Sequence, residues 1–349
     1  MPDPAAADVR WASLTQSIIR GTAIDVSMLA PVTPFWTSYI AALAGRTWRN
    51  LSFFEIEFLF YHAINSCAGH FETGVDVFSA TRSMALREAL PAFQASLLVH
   101  KPNGPHQLVE LIRLATTGNF FDYSQSNINR DATMRHEPLL VDHTAILESY
   151  LSARRTVEIH LLADNAGSEL CWDLALIDAI LCSIENSVVL HVKPWPMFVS
   201  DARPADVTNT IDAFLRVDAN SESRALGERL AEALAIGRLR ISAHHNWGEP
   251  RHISGLELDL LRQLRGESIV ISKGDLNYRR FVEDREWPPS TAVPDGTVAP
   301  DMLVFALRVL KSDAVIGIPE GIVSKLARIE PEWRSDGRYA IVQSIGRED

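Results

Sequence analysis

Acidic and amide side chains follow the predicted strands in the second half of the sequence, where they could bind a divalent metal ion. Asp164 and Asn165 come directly after a β-branched, apolar run at 156–162, and Asp201 follows a second such run at 187–192. Ligands of open α/β sheets bind outside the carboxyl ends of the strands, so these side chains should meet at one edge. Their oxygens suit Mg²⁺ or Mn²⁺, with water filling the remaining positions.

Positively charged side chains follow the next strands and point to a phosphorylated ligand. Lys273 and Arg279 come after a strand predicted at 268–272, and Arg308 is followed three residues later by Lys311. A divalent ion together with Lys and Arg neutralises phosphoryl oxygens, and metal-bound water is a better nucleophile. The pattern therefore favours chemistry on a phosphate ester.

These side chains require a scaffold of strands that alternate with helices. Strands are predicted at 156–162, 187–192, 238–243, 268–272, 302–307 and 339–343. Such alternation indicates an α/β fold, with a mainly parallel, Rossmann-like sheet covered by helices on both faces in three layers. The first 150 residues or so have helical spacing and no convincing strand. We therefore predict a helical bundle domain at 1–154 and an α/β metal- and phosphate-binding domain at 155–349.

Local signals place helices within the first half. Thr33-Pro34 offers a cap and a first-turn proline for a helix at 35–49, and Ser52 with Glu55 has the capping-box pattern. A further helical pattern covers 77–99, where Pro91 predicts a break.

The composition excludes several classes of protein. The 349 residues are 47% hydrophobic and 22% charged, which is typical of a globular chain and not of collagen, disordered or disulfide-stapled proteins. A net charge of −11 argues against nucleic-acid binding but allows a local basic pocket.

The three cysteines match no CxxC spacing, and neither an export signal nor a membrane span is evident, so we expect a cytoplasmic protein without membrane partners. The oligomeric state is not readable from the sequence.

Two runs of residues carry a specific resemblance to a known family. Residues 164–170 read D-N-A-G-S-E-L, and residues 273–279 read K-G-D-L-N-Y-R. Together they resemble the signatures of the metal-dependent damage-control phosphatase family, in the subgroup also called acidic-residue methyltransferase-like (domain of unknown function 89). Residues 199–201 are similar to its V-S-D element, and Trp333 with 337–341 is similar to its C-terminal segment. The resemblance covers about 155–345.

The resemblance is thinner in the helical half and departs from the family at one further motif. Gly118-Asn119 and Asp122 are similar to a W-G-N…D element without its tryptophan. The family's R-T-x-K motif reads R-V-L-K at 308–311, so Val309 replaces the threonine. Both cations of the motif remain, and the threonine hydroxyl is absent.

The resemblance implies roles for particular residues. Asp164, Asn165 and Asp201 would ligate the metal, commonly Mn²⁺ with Mg²⁺, Co²⁺ or Ni²⁺ as alternatives, and would also lie close to the substrate. The resemblance further implies that Asp164, Asp201 and Lys311 are catalytic. It also implies that a second set of residues binds the substrate: Asp275, Leu276, Asn277, Tyr278, Arg279 and Lys311.

Other polar residues have a functional and an ordinary interpretation. Glu169 and Asp173 share one helix face and either orient the metal ligands or face solvent. His244 and His245 suggest zinc, but no third ligand of matching spacing appears. His245 and Asn246 either line the pocket or pack within a loop. Asn119 and Asp122 belong either to the pocket or to a turn, and Asp275 either belongs to the site or caps the helix after its strand. Arg308 is a candidate to line the pocket or to support the residues that do.

Three functions compete on this sequence. The first is a metal-dependent phosphatase of small phosphorylated metabolites, for which the resemblance implies sugar phosphates such as fructose 1-phosphate or fructose 6-phosphate. The residues leave open whether water, Asp164 or Asp201 attacks the phosphorus. The second is an S-adenosylmethionine-dependent protein carboxyl (glutamate) methyltransferase, although the first turn has only Gly167 where such sites are glycine-rich. The third is a catalytically inactive phosphometabolite-binding protein, motivated by Val309.

Overall fold

The computed structural model describes residues 4–99, 107–118, 139–153, 157–183, 186–216, 218–293 and 302–346. The helices are α1 Pro4–Arg20, α2 Pro34–Ala42, α3 Phe53–Cys67, α4 His70–Thr73, α5 Ser79–Val99, α6 Gln107–Thr117, α7 Thr144–Ser152, α8 Ser168–Ser183, α9 Pro204–Leu215, α10 Ser221–Ala235, α11 Leu258–Leu264, α12 Gly274–Phe281 and α13 Glu320–Ile329. The strands are β1 Val141–Asp142, β2 Glu158–Leu162, β3 Ser187–His191, β4 Leu239–Ser242, β5 Ile269–Lys273, β6 Leu303–Val309 and β7 Ala340–Ser344.

The strands form one mainly parallel sheet, as predicted. Their order is β1-β7-β6-β5-β2-β3-β4, and only the β6–β7 pair is antiparallel. All six predicted strands are present. The prediction of no strand in the first half is wrong, because Val141–Asp142 adds an edge strand parallel to β7. A strand of two residues is too short to produce an alternating pattern in the sequence.

Alternate residues of the strands face two separate apolar clusters. One face packs against helices that include α5, α6 and α8 to α10, and its strand residues include Ile159, Leu161, Ile269, Ile271, Phe305 and Leu307. The other face packs against α11 to α13 through residues that include Leu162, Val270, Val304 and Ala306. Burial on both faces is what the continuous apolar strands require, and it gives the predicted three layers.

Part of the helical half shares the core of the sheet. Phe93 of α5 and Leu111 of α6 belong to the same apolar cluster as β2, whereas α2 and α3 centre on a third cluster that includes Trp36 and Phe58. The division of the chain near residue 154 stays a prediction. None of the helices in the described part of the chain has the length and apolar character needed to cross a membrane.

The start signals of two helices are confirmed and one predicted break is wrong. The Thr33 hydroxyl accepts a hydrogen bond from the Trp36 backbone at 3.2 Å, and Ser52 and Glu55 form the capping box. The helix α5, however, continues through Pro91. The next turn is held by Phe93, whose ring contacts Trp172 and Phe214 at centroid distances of 4.8 and 5.1 Å. Tertiary packing here outweighs the cost of a proline.

Candidate metal centre

Backbone hydrogen bonds hold the turn after β2 against the loop after β3. The Ala202 N–H donates to the Asp164 carbonyl at 2.8 Å, and the Ala166 N–H donates to the Ser200 carbonyl at 2.8 Å. Asn165 and Asp201 are thereby paired as an isolated β-bridge. The structure therefore brings together the three residues predicted to bind metal, and all three are buried.

The loop that presents Asp201 has a strained backbone. Phe198 and Val199 have φ values of 48° and 63°, in the left-handed region that non-glycine residues and β-branched residues above all avoid. Each such residue costs on the order of 1–3 kcal/mol, and such strain clusters at functional sites. The Arg82 guanidinium donates to the Val199 carbonyl at 3.3 Å and helps to hold this turn.

The Asn165 side chain is fixed by three neighbours. Its Oδ1 accepts a hydrogen bond from the Ser200 hydroxyl at 2.6 Å, while its Nδ2 donates to Asp164 Oδ2 at 3.2 Å and to Glu169 Oε2 at 3.1 Å. Glu169 in turn accepts from the Lys273 ammonium at 2.6 Å. The fully buried Lys273 thus holds Glu169, and Glu169 holds the Asn165 amide. Glu169 therefore orients a predicted metal ligand and does not face solvent.

Asp173 completes this buried network. One of its carboxylate oxygens lies 2.9 Å from Lys273 Nζ, and both side chains are fully buried. Of the two interpretations of Asp173, the solvent-facing helix position is wrong, because α8 turns this residue toward the end of β5.

The charges of the centre favour a divalent cation. Burial raises the pKa of Asp164 well above its usual range, and the carboxylates of Glu169 and Asp201 raise it further. Four buried carboxylates gather here with two buried ammoniums; these groups are Asp164, Asp201, Glu169, Asp173, Lys193 and Lys273. Two further cations, Arg280 and Lys311, act on Asp201 and Asp164 respectively. The oxygen donors of Asp164, Asn165 and Asp201 suit a hard divalent cation.

A glycine lets α12 approach the centre closely. Gly274, at the junction of β5 and α12, has a φ of +78°, and a Cβ atom there would lie 2.0 Å from Asp164 Oδ2. Any other residue would therefore displace the Asp164 carboxylate as well as strain the backbone. This contact explains why a glycine stands between Lys273 and Asp275.

Asp275 holds the loop that carries Lys311. Its Oδ1 accepts hydrogen bonds from Arg308 Nε at 2.9 Å, from the Lys311 backbone N–H at 3.2 Å and from the Ser312 hydroxyl at 3.2 Å. Burial alone would raise the pKa of Asp275, but the guanidinium groups of Arg308 and Arg279 outweigh it and the pKa is lowered. Asp275 is therefore an ionised anchor, and Lys311 lies close enough to Asp164 to lower the pKa of that carboxyl.

Arg279 is already paired with two carboxylates. Its Nε lies 2.5 Å from Asp284 Oδ1, and its Nη1 lies 2.6 Å from Glu57 Oε2 on α3. Burial raises the pKa of Glu57 to about 7, although Arg279 opposes the shift. The predicted substrate contact of Arg279 stays a prediction, and any anion that reaches it meets a guanidinium bound by Glu57.

The neighbours of Arg279 on α12 face the protein interior. Leu276 joins the apolar cluster of α2 and α3. Asn277 Nδ2 donates to the carbonyls of Ala163 and Lys273 at 3.1 and 3.0 Å, and the Tyr278 hydroxyl lies 3.3 Å from a side-chain oxygen of Gln343. Their predicted roles in substrate binding stay predictions, and their side-chain contacts fix α12 in place.

The histidine pair at the end of β4 forms a separate cluster. The structure brings Glu257 to the pair as a possible third ligand that the sequence did not reveal, because atoms of His244, His245 and Glu257 that could ligate a metal lie within 4.8 Å of one another. His244 Nδ1, however, accepts a hydrogen bond from the Asn246 N–H at 3.3 Å, which places the proton of the neutral ring on Nε2, toward Asp259. Both ring nitrogens of His244 are therefore engaged in hydrogen bonds.

Two predicted site residues lie outside the described part of the chain, and a third, Asn246, forms hydrogen bonds within its own loop. Asn119 and Asp122 lie outside the described residues; Gly118 next to them lies against α8, since a Cβ there would be 3.3 Å from Glu169 Cα. Asn246 is buried, and its side chain holds Glu249 at 2.9 Å and the Glu257 N–H at 2.8 Å.

Lys193 and Glu57 were missed by sequence reasoning. Lys193 directly follows the predicted strand 187–192, so the rule that polar residues after strands form the site was sufficient to find it. Its ammonium lies 3.3 Å from Asp201 Oδ2. Glu57 gave no signal, because a glutamate on an amphipathic helix is ordinarily a surface residue.

The buried Asp173 predicts a pH-dependent stability. Burial, with Glu169 adding to it and Lys273 opposing, raises its pKa from 3.8 to about 7. The folded protein then holds a proton that the unfolded chain releases, so the contribution of Asp173 to the free energy of unfolding should fall as pH rises from about 4 to 7 and level off above. The slope is at most about 1.4 kcal/mol per pH unit.

Urea unfolding across this pH range measures the slope. Asp173→Asn should remove this contribution, whereas the exposed variant Asp218→Asn should retain it. Equal slopes in wild type and Asp173→Asn would contradict the assignment.

Comparison with known proteins gives one family. The model of the damage-control phosphatase ARMT1-like domain matches residues 9–326. Among curated proteins, damage-control phosphatase ARMT1 of Danio rerio is 29% identical over 261 residues, which cover 67% of this chain and 57% of that protein. The Xenopus laevis protein of the same name is 33% identical over 193 residues, covering 53% and 43% respectively. That of Mus musculus is 31% identical over 223 residues, covering 60% and 50%.

The chain spans about half the length of these curated relatives. A solved structure of a DUF89 family protein from Pyrococcus horikoshii covers 98% of both chains with a TM-score of 0.52 at 14% sequence identity. At that identity the likeness shows the fold alone.

Proposed function

Because this chain belongs to the damage-control phosphatase ARMT1-like family, we propose that it hydrolyses small phosphorylated metabolites in a metal-dependent reaction. Sugar phosphates such as fructose 1-phosphate and fructose 6-phosphate are the first candidates. The observation that carries the proposal is the pairing of Asn165 with Asp201, which places two carboxylates and an amide at one sheet edge. That donor set suits a hard divalent ion.

The side chains of the centre divide into three tasks. Asp164, Asn165 and Asp201 would hold the metal, which when bound polarises a phosphoryl oxygen and lowers the pKa of a water molecule. The Lys311 ammonium stabilises negative charge on the phosphoryl group. Asp275 keeps Lys311 in place by accepting its backbone N–H.

The replacement of the family threonine by Val309 leaves this arrangement intact. Val309 is the last residue of β6 and is buried, whereas the Arg308 guanidinium and the Lys311 backbone N–H on either side of it both donate to Asp275. A valine lacks only the hydroxyl. We therefore favour an active enzyme over an inactive binding protein.

The methyltransferase alternative receives less support. Nucleotide-type ligands on such sheets usually bind at a glycine-rich first turn, which lets the ligand approach the backbone. Here the turn after β2 carries Asp164 and Asn165 with the single Gly167. A site that gathers buried carboxylates suits a metal ion better than S-adenosylmethionine.

Release of phosphate from p-nitrophenyl phosphate tests the proposal. We expect release to depend on Mn²⁺, Mg²⁺, Co²⁺ or Ni²⁺ and to stop when EDTA is added. A panel of phosphosugars under the best metal then identifies the substrate. Absence of hydrolysis with every metal and phosphosugar would support the inactive binding protein, and tight binding of S-adenosylmethionine without metal would support the methyltransferase.

A further inference from the structure

Two buried lysines flank the candidate metal centre, one on each side of β2. Lys273 ends β5 and anchors Asn165 through Glu169. Lys193 lies just beyond β3, on the opposite side of β2, and its ammonium lies 3.3 Å from Asp201 Oδ2. Asn165 and Asp201 are thus each supported by an ammonium, one at the end of β5 and one just beyond β3.

The surroundings of Lys193 fix its ammonium beside Asp201. Its backbone N–H donates to the Ala202 carbonyl at 2.9 Å, which ties the lysine to the loop that carries Asp201. Its side chain is only 3% exposed, as is that of Asp201. The Phe198 ring lies 6.0 Å from Nζ and covers it on one side. An ammonium enclosed in this way has little access to a substrate, whereas Lys311 is partly exposed.

We propose that Lys193 is a positioning residue of the metal centre. Its ammonium holds Asp201 Oδ2, so that Asp201 presents its other oxygen to the ion. Carboxylates that ligate metals are in general hydrogen-bonded by outer groups that set their orientation. Lys193 also offsets the repulsion between Asp164 and Asp201 before metal binds. The inference rests on the proposed metal site.

Titration of Mn²⁺ followed by electron paramagnetic resonance tests the role without any turnover. Lys193→Met should weaken Mn²⁺ binding by about 10–100-fold, the usual effect of removing an outer-shell partner. Binding of inorganic phosphate at saturating Mn²⁺, measured by calorimetry, should be unchanged. The matched control is Lys325→Met, an exposed lysine on α13.

A direct phosphate contact predicts the opposite result. If Lys193 contacted the phosphate, Lys193→Met would leave Mn²⁺ affinity unchanged or increase it, because a cation beside the divalent ion is removed. Phosphate binding would become weaker. Either finding overturns the positioning role. If wild type itself does not bind Mn²⁺, the proposed function fails and not merely this inference.

A charge-conserving variant keeps the test decisive if Lys193→Met does not fold. Lys193→Arg retains the positive charge, but its planar fork cannot occupy the place of an ammonium. Positioning predicts weaker Mn²⁺ binding in Lys193→Arg as well. Wild-type Mn²⁺ affinity in this variant would overturn the proposal.

Discussion

Asp164→Asn should reduce metal-dependent phosphate release by about a thousandfold or more without loosening the fold. The several kcal/mol of charge stabilisation that a catalytic metal contributes correspond to at least that factor. The metal-free protein should be as stable as wild type or more so, because the substitution removes a carboxylate that lies buried beside Asp201 and Glu169. Loss of function together with retained stability is the signature of a metal ligand.

Phosphate release, Mn²⁺ titration and thermal unfolding without metal check this result. Asp218→Asn is the matched control, since the Asp218 side chain is 77% exposed. An Asp164→Asn protein that keeps wild-type turnover would exclude Asp164 from the metal site. A large fall in melting temperature would show instead that Asp164 supports the fold.

Lys273→Met should destabilise the protein by about 3–5 kcal/mol, the cost of removing one partner from a buried ion pair. The ammonium lies 2.6 Å from Glu169 and 2.9 Å from Asp173, and without it both carboxylates are buried without a countercharge. Burial alone would lower the pKa of Lys273, but the two carboxylates outweigh it, so the ammonium is charged at neutral pH.

Urea unfolding measures the loss, and a compensated variant isolates its cause. When Glu169→Gln and Asp173→Asn accompany Lys273→Met, most of the stability should return, because no buried charge remains unpaired. The exposed Lys325→Met should behave as wild type. If the triple variant is as unstable as Lys273→Met alone, packing of the lysine stem and not its charge explains the effect.

Much of the fold was predictable because the strands are apolar throughout and alternate with helices. This pattern requires burial on both faces, and the parallel sheet follows from it. The antiparallel direction of β7 and the two-residue β1 were not predictable, since each depends on pairing with a distant segment. The helix break predicted at Pro91 is wrong because the proline rule considers only the local sequence and not the rings that pack on Phe93.

The predictable part of the site is the part that follows directly from strand ends. Asp164, Asn165 and Asp201 meet because parallel strands bring their carboxyl ends to one edge. The left-handed turn at Phe198 and Val199 ran against the preferences of both residues, so no local rule could indicate it. The contact of Glu57 with Arg279 joins residues 222 positions apart and required the tertiary structure.

That contact connects the helical half to Arg279, a predicted substrate-binding residue. A glutamate on α3 competes with any incoming anion for the Arg279 guanidinium, and the exposed Phe53 ring lies 5.0 Å from the same group. On the proposed role of Arg279 in substrate binding, substitutions on α3 would change which phosphorylated metabolite is accepted without altering the proposed metal ligands. Selectivity and hydrolysis would then evolve on separate parts of one chain.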